Sequence, residues 1–437
     1  MGFSEMHGQG YRAPGDLNFG RKPLTVRPII SKTGKERQGG WGVKENAGAG
    51  DDRKVAQGIK WIRKHGSRMD RPWTLEINIS DPHFPQDVTQ DLWDMYEGHD
   101  DLPDHGGDVA SANHPYALDL RKQFQMEAFR EESVRGLRRG YYGCVTHVDR
   151  KVGEVMDVLD ETWLSDPTVF AYTSDHGEML GKFGLWWKCS LYEDSVRAPL
   201  IVAGPGFRKG EVGHTAVSQL DLQASIFAAV GAERPEDWAG GPLQDLGLND
   251  ESRATFSEYH GHGVRGSGFV IRKGKWKYMH NCEAFHQLFD IIVDPDELDD
   301  RHESEPEDVA DLERELKAVC DPDAENRRAY RAATRCDRGS RPRNTSRRSR
   351  GFSRVSSDFS TMGRCGAQYL AASQKMEMPC SRHLSRSSGG MAMARQRLIP
   401  IGSSCSATFR KHSSVVVSGK LLCRSRLKDR SFGPKAT

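Results

Sequence analysis

The stretch at residues 168–188, "TVFAYTSDHGEMLGKFGLWWK", decides how the chain is read. An apolar strand over 168–173 stops at Ser174-Asp175-His176-Gly177, and Lys188 follows the histidine by twelve residues. Ligands of open α/β sheets bind outside the carboxyl ends of the strands, where this loop falls. An adjacent carboxylate and imidazole in a tight glycine-ended loop can face one ion. The carboxylate suits calcium or magnesium, and the imidazole widens the choice towards zinc or manganese. The competing reading makes Asp175 a cap of the following turn and His176 an ordinary polar residue. Lys188, behind two tryptophans, is either a fixed cation for a sulfate or phosphate oxygen or a surface lysine with its stem on apolar neighbours.

Upstream, Val55, Ile59 and Ile62 share one face of a helix that begins near Asp51-Asp52. The strand "WTLEINIS" follows. Pro82 stops it, which puts His83 of "DPHFP" in a loop at that strand's carboxyl end. Residues 87–120 are polar and read as a long surface excursion. A helical region over 124–159 spaces Val145, Val148, Val152, Val155 and Leu159 along one face. Downstream come the strand "APLIVAG" at 198–204 and a helix at 218–231 with Leu222, Ile226 and Val230 in its stripe. Helices alternating with short apolar strands predict an α/β sheet covered on both faces. After Gly241 the pieces "ATFSEYH", "GFVIRKGKWKYMH" and "HQLFDII" predict an antiparallel sheet, closed by the acidic helix "EPEDVADLERELKAVC".

The net charge of +2 over 437 residues hides an asymmetry. Residues 336–437 carry 21 basic and 4 acidic side chains, which leaves 42 basic and 57 acidic for residues 1–335. This Ser/Arg-rich stretch reads as a disordered tail that cannot bury enough apolar surface to offset chain entropy. A nucleic-acid-binding arm would need aromatic interleaving or a fold, and neither is visible. Translated intron or frameshifted sequence is the third reading. The nine cysteines contain no CxxC pair, so neither a zinc motif nor a disulfide framework is suggested. No segment has the roughly 18 to 20 apolar residues of a membrane span. Residues 1–20 lack a signal-peptide core, and the default location is cytoplasmic. The predicted organisation is a poorly ordered segment at 1–50, an α/β domain at 51–240, an α+β subdomain at 241–335 and the basic tail at 336–437.

From "YYGCVTHVDRKVGEVMDVLDE" through "SDHGEMLGKFGLWWKCSLYEDSVRAPLIVAGPGF" the chain resembles the sulfatase family, in its choline-sulfatase-like and arylsulfatase-like members. The resemblance takes in "RPWTLEINISDPHFP" upstream and "SEYHGHG", "GFVIRKGKWKY", "QLFDIIVDPDE" and "VCDPDAENRRAY" downstream, about residues 50–331. It implies an alkaline-phosphatase/sulfatase-like sandwich with a mixed central sheet between helices, plus a small subdomain with an antiparallel sheet. It also implies hydrolysis of a small-molecule or glycan sulfate ester. Asp175 and His176 match the second pair of metal ligands, for a divalent ion that is usually calcium. Lys188 matches the lysine that binds the sulfate group and assists at the leaving oxygen, and His83 a histidine on the same group. His260 and His262 would line the substrate side. The C/S-x-P-x-R motif that supplies the formylglycine nucleophile is absent: Cys320-Asp321-Pro322 is followed by Ala324 and Ser340-Arg341-Pro342 by Asn344 where arginine should stand. The first metal-binding aspartate pair is missing too, Asp51-Asp52 reading instead as a helix cap. The expectation is therefore a sulfatase lacking its N-terminal part. The other classes open are a phosphoester or phosphonate hydrolase of the same superfamily and a non-catalytic remnant that binds anions or partners.

Overall fold

The computed structural model describes residues 37–261, 263–339, 392–394 and 413–419. The chain opens with strand β1 (Trp41–Val43), helix α1 (Ala49–Trp61) and strand β2 (Trp73–Ile79). β1 pairs in parallel with β3 (Gln86–Val88), so residues 37–50, expected to be poorly ordered, are in part regular structure. Val55 and Ile62 on and just beyond α1 pack against Ile77 and Ile79 of β2. Helix and strand meet at Gly58, where a Cβ would lie 2.4 Å from Ile77 Cδ1. A methyl there would press on the end of the Ile77 side chain.

Asp51 and Asp52 do not cap α1. Gly48 occupies the cap with a left-handed backbone and without a side-chain bond, and the aspartates sit in the first turn. Asp51 is buried and reaches across to accept the N–H groups of Ser80 (2.7 Å) and Asp81 (2.9 Å). It ties the helix to the end of β2, a use of an early-turn carboxylate that spacing cannot reveal.

The expected surface excursion at 87–120 is partly core. Helix α2 (Gln90–Met95) leads by way of a short 3-10 turn to α3 (Pro115–Phe124), whose Tyr116, Ala117, Leu120 and Phe124 are buried. Its apolar residues recur at helical spacing among charged ones, which masked them in a composition reading. The long helix α4 (Glu131–Glu161) then lays Val148, Val152, Val155 and Leu159 on the same core as α1.

Strand β4 (Thr168–Ser174), the short helix α5 (Glu193–Val196), strand β5 (Leu200–Ala203) and helix α6 (Gln219–Val230) follow. Beyond them lie β6 (Ala254–Tyr259), β7 (Gly268–Lys273), β8 (Trp276–Asn281) and β9 (Gln287–Asp290), an antiparallel sheet in that order, as expected. Helix α7 (Pro306–Val319) covers it with Leu312 and Leu316, and α8 (Pro322–Gly339) comes after. Most of 340–437 lies outside the described residues; two short strands, β10 (Ala392–Ala394) and β11 (Ser413–Gly419), do not.

The central sheet has the order β10-β5-β4-β11-β2. β11 is antiparallel to both neighbours, so β2 and β4 run the same way on either side of it. Ser413 stands opposite Ile79 on one side and Ser174 on the other. The last residues of β2 and β4 are thus level, two strand spacings or roughly 10 Å apart. β5 runs antiparallel to β4 with Leu200 opposite Thr173, so the residues just ahead of it reach the same edge. The fold is α/β, and its register brings the His83 loop and the Asp175-His176 loop to one end of the sheet. Among the described residues no helix is long and apolar enough to cross a membrane.

Candidate active site

β4 ends where its hydrogen bonds change partners. Ser174 Oγ donates to the His176 carbonyl (2.6 Å), Gln219 Nε2 donates to the Ser174 carbonyl (2.8 Å), and the Gly177 N–H reaches Ser195 O (3.3 Å). Residues 179–187 then make a closed excursion. The Met179 N–H bonds Trp187 O (2.8 Å) and the Gly181 N–H bonds Leu185 O (2.9 Å). Met179, Leu180, Phe183, Leu185, Trp186 and Trp187 fill the core beneath it.

Glu178 locks the base of this excursion. Its buried carboxyl accepts the N–H groups of Trp187 and of Leu180 (3.2 Å). Burial pushes that carboxyl up to about 7, while Lys188 and the two amides pull the other way. Trp187 (φ 65°) and Cys189 (φ 84°), on either side of Lys188, both have left-handed backbones. Non-glycine residues hold such angles only where surrounding structure compels them, and such strain clusters at functional sites.

Lys188 Nζ lies 2.8 Å from His83 Nε2, and His83 Nδ1 lies 2.7 Å from the Phe84 carbonyl. A carbonyl can only accept, so Nδ1 carries the proton and Nε2 accepts from the ammonium. The phenyl ring of Phe84 sits 5.4 Å from the same ammonium. Two residues 105 apart in sequence thus form one cation-bearing wall.

Asp175 and His176 make the second wall. His176 Nδ1 is 3.0 Å from Gly177 O, and a carbonyl only accepts, so Nδ1 carries a proton. Nε2 is 3.7 Å from Asp175 Oδ1. A carboxylate oxygen and an imidazole nitrogen are donor types that divalent cations take.

The loop that carries His83 is held by groups no motif announces. His147 on α4 has Nδ1 2.7 Å from Asp81 Oδ2 and Nε2 3.1 Å from Asp52 Oδ1. Burial disfavours its charged form, but the two carboxylates outweigh burial and raise its pKa. Burial likewise opposes ionisation of Asp51, and Lys54 with the Asp81 and Ser80 amides reverses that and holds the carboxyl low. The only sequence signal for these anchors was the density of carboxylates near 51–52 and 81. Glu178 had a better one, its place directly after Gly177. His260 bonds Ser267 Oγ (2.7 Å) and pairs with Glu258 (3.0 Å) beside the antiparallel sheet. His262 lies outside the described residues.

A carboxylate–imidazole pair and a lysine–histidine pair lie at one end of the central sheet. Residues 9–232 match the family model described as sulfatase, and 181–321 match that of the N-sulphoglucosamine sulphohydrolase C-terminal region. The chain belongs to the sulfatase family. It is 34% identical over 243 residues to a choline-sulfatase of Rhizobium meliloti (strain 1021), covering 54% of this chain and 47% of that one. With arylsulfatase K of Canis lupus familiaris it shares 26% identity over 321 residues, 67% of this chain and 58% of the other. A phosphonate monoester hydrolase structure from Silicibacter pomeroyi is similar over 54% of this chain and 53% of its own, at 26% identity and a TM-score of 0.48. The chain spans about half the length of the curated relatives it matches. Members of the family generally use a divalent metal ion.

Proposed function

We propose that this chain carries the sulfate-holding side of a sulfuric ester hydrolase site, for the reaction in which R–O–SO3⁻ and water give R–OH and sulfate. The observation that carries this reading is the 2.8 Å contact between Lys188 and His83 at the edge where Asp175 and His176 also lie. Lys188 neutralises a sulfate oxygen and stands ready at the leaving oxygen as the S–O bond lengthens. His83, a neutral acceptor, holds the ammonium in place. Asp175 and His176 hold a divalent ion, calcium in this reading, which when bound draws charge from the sulfate oxygens. No C/S-x-P-x-R motif occurs in the 437 residues, so no residue is assigned to the attack on sulfur. The substrate class is a small-molecule or glycan sulfate ester. The test offers the purified chain an aryl sulfate and the matching aryl phosphate, with and without calcium, scoring both binding and turnover. Calcium-dependent preference for the sulfate supports the reading. Preference for the phosphate would move the site to phosphoester chemistry, and indifference to both would leave a non-catalytic member of the family.

A further inference from the structure

The antiparallel sheet holds a second cluster of metal-ligating side chains, independent of the sulfate site. His280 near the end of β8, His286 just before β9 and Glu313 on α7 each place a donor atom within 4.8 Å of the others. The two imidazole rings stack with centroids 4.0 Å apart, and the His302 ring lies 5.8 Å from that of His286. His302 Nε2 is buried without a hydrogen-bond partner among the described residues. Tyr278 braces the group: its hydroxyl donates to Glu313 Oε1 (3.1 Å) and lies 3.3 Å from His280 Nδ1. Lys317 holds the other carboxylate oxygen (2.8 Å), and the Asn281 N–H donates to His286 Nδ1 (3.1 Å).

From this geometry we propose that His280, His286 and Glu313, with His302 as a fourth donor, bind a divalent ion of the zinc class. Imidazole nitrogens with one carboxylate suit zinc and its neighbours, whereas calcium prefers a shell of oxygens. The cluster is therefore chemically separated from the sheet-edge pair, which the calcium reading concerns. Stacked rings cannot both aim at one ion, so loading turns one of them, and His286 gives up its weak bond from Asn281 if it ligates through Nδ1. The ion would pin α7 to the sheet through residues from two strand ends and the helix, a structural role in which metal binding adds to folding stability.

The experiment uses the full chain, stripped with a chelator, re-equilibrated in excess calcium and titrated with zinc, and separately with cobalt(II) as a spectroscopic probe. A single retained equivalent of zinc, a visible ligand-field band with cobalt and a higher Tm with zinc are expected. His286→Gln and Glu313→Gln should weaken zinc binding at least about 10- to 100-fold, while Asp175→Asn keeps it. Glu313 lies on the outer part of the cluster, so Glu313→Gln decides the matter if His286→Gln does not fold. The proposal is overturned if the chain retains no zinc, if both variants bind it as the wild type does, or if Asp175→Asn alone abolishes it.

Discussion

Lys188 takes an acceptor from a loop 105 residues earlier in the chain. His83 comes from the far side of the sheet, and its protonation pattern is fixed by the Phe84 carbonyl. Removing the ammonium with Lys188→Ala should weaken binding of an aryl sulfate by roughly 10- to 100-fold, the worth of a charge-assisted hydrogen bond of about 1.5–3 kcal/mol. His83→Ala should cost less, because the charge stays while its position is lost; titration calorimetry on the two variants ranks them. His147 gives a pH effect of definite sign. Its pKa is raised in the folded state, so its stabilisation is complete below the ordinary value near 6.5 and is lost as pH rises through the elevated one. The Tm of the wild type should therefore fall from pH 6 towards pH 9 more steeply than that of His147→Gln. Parallel curves would show that the Asp81–His147–Asp52 bridge does not act as a charged unit.

At the scale of elements, β4 and its Asp175-His176 end were legible because an apolar run breaking at Ser-Asp-His-Gly is a local pattern. The His83 loop was legible for a similar reason: Pro82 cannot continue a strand ladder. Glu178 and His147 were not read from sequence, since their partners lie 9 and 66 residues away and only the folded chain brings them together. The same holds for α3, whose buried face is diluted by charged residues, and for Asp51, whose acceptors are filled by amides 29 and 30 residues downstream. Helix α1 presses on β2 where Gly58 leaves room for Ile77. Gly58→Ala puts a methyl into that space, so the usual helix-propensity gain of about 1 kcal/mol should reverse into a net loss of about 1–3 kcal/mol. Denaturant unfolding measures it, and a stabilised variant would show that the two elements are not in close contact.

Across the molecule, the antiparallel sheet is joined to α5 by buried charge. Lys277 of β8 is 0% exposed and pairs with Glu297 (2.5 Å) and with Glu193 on α5 (3.2 Å). The Glu193 N–H in turn donates to Glu297 (2.7 Å). Lys182, within the excursion that precedes Lys188, pairs with Asp194 (3.1 Å) and Asp296 (3.3 Å). Lys182 is thereby tied both to α5 and to the segment after β9, a few residues from Lys188 in sequence. Replacing Lys277 by methionine would strand two buried carboxylates and should cost about 3–5 kcal/mol, visible as a lower Tm. Sequence patterns gave Lys277 no distinction from its lysine neighbours in "RKGKWK", because burial of one charge among several is a property of the assembled fold. The central claim is that this sheet edge grips a sulfate ester through Lys188 with the help of a divalent ion. Its most direct test is calorimetric titration of an aryl sulfate into the calcium-loaded chain and into its Lys188→Ala variant. Binding that needs calcium and weakens at least about tenfold in the variant is the expected result. Equal affinity in both, or affinity indifferent to calcium, would contradict the account.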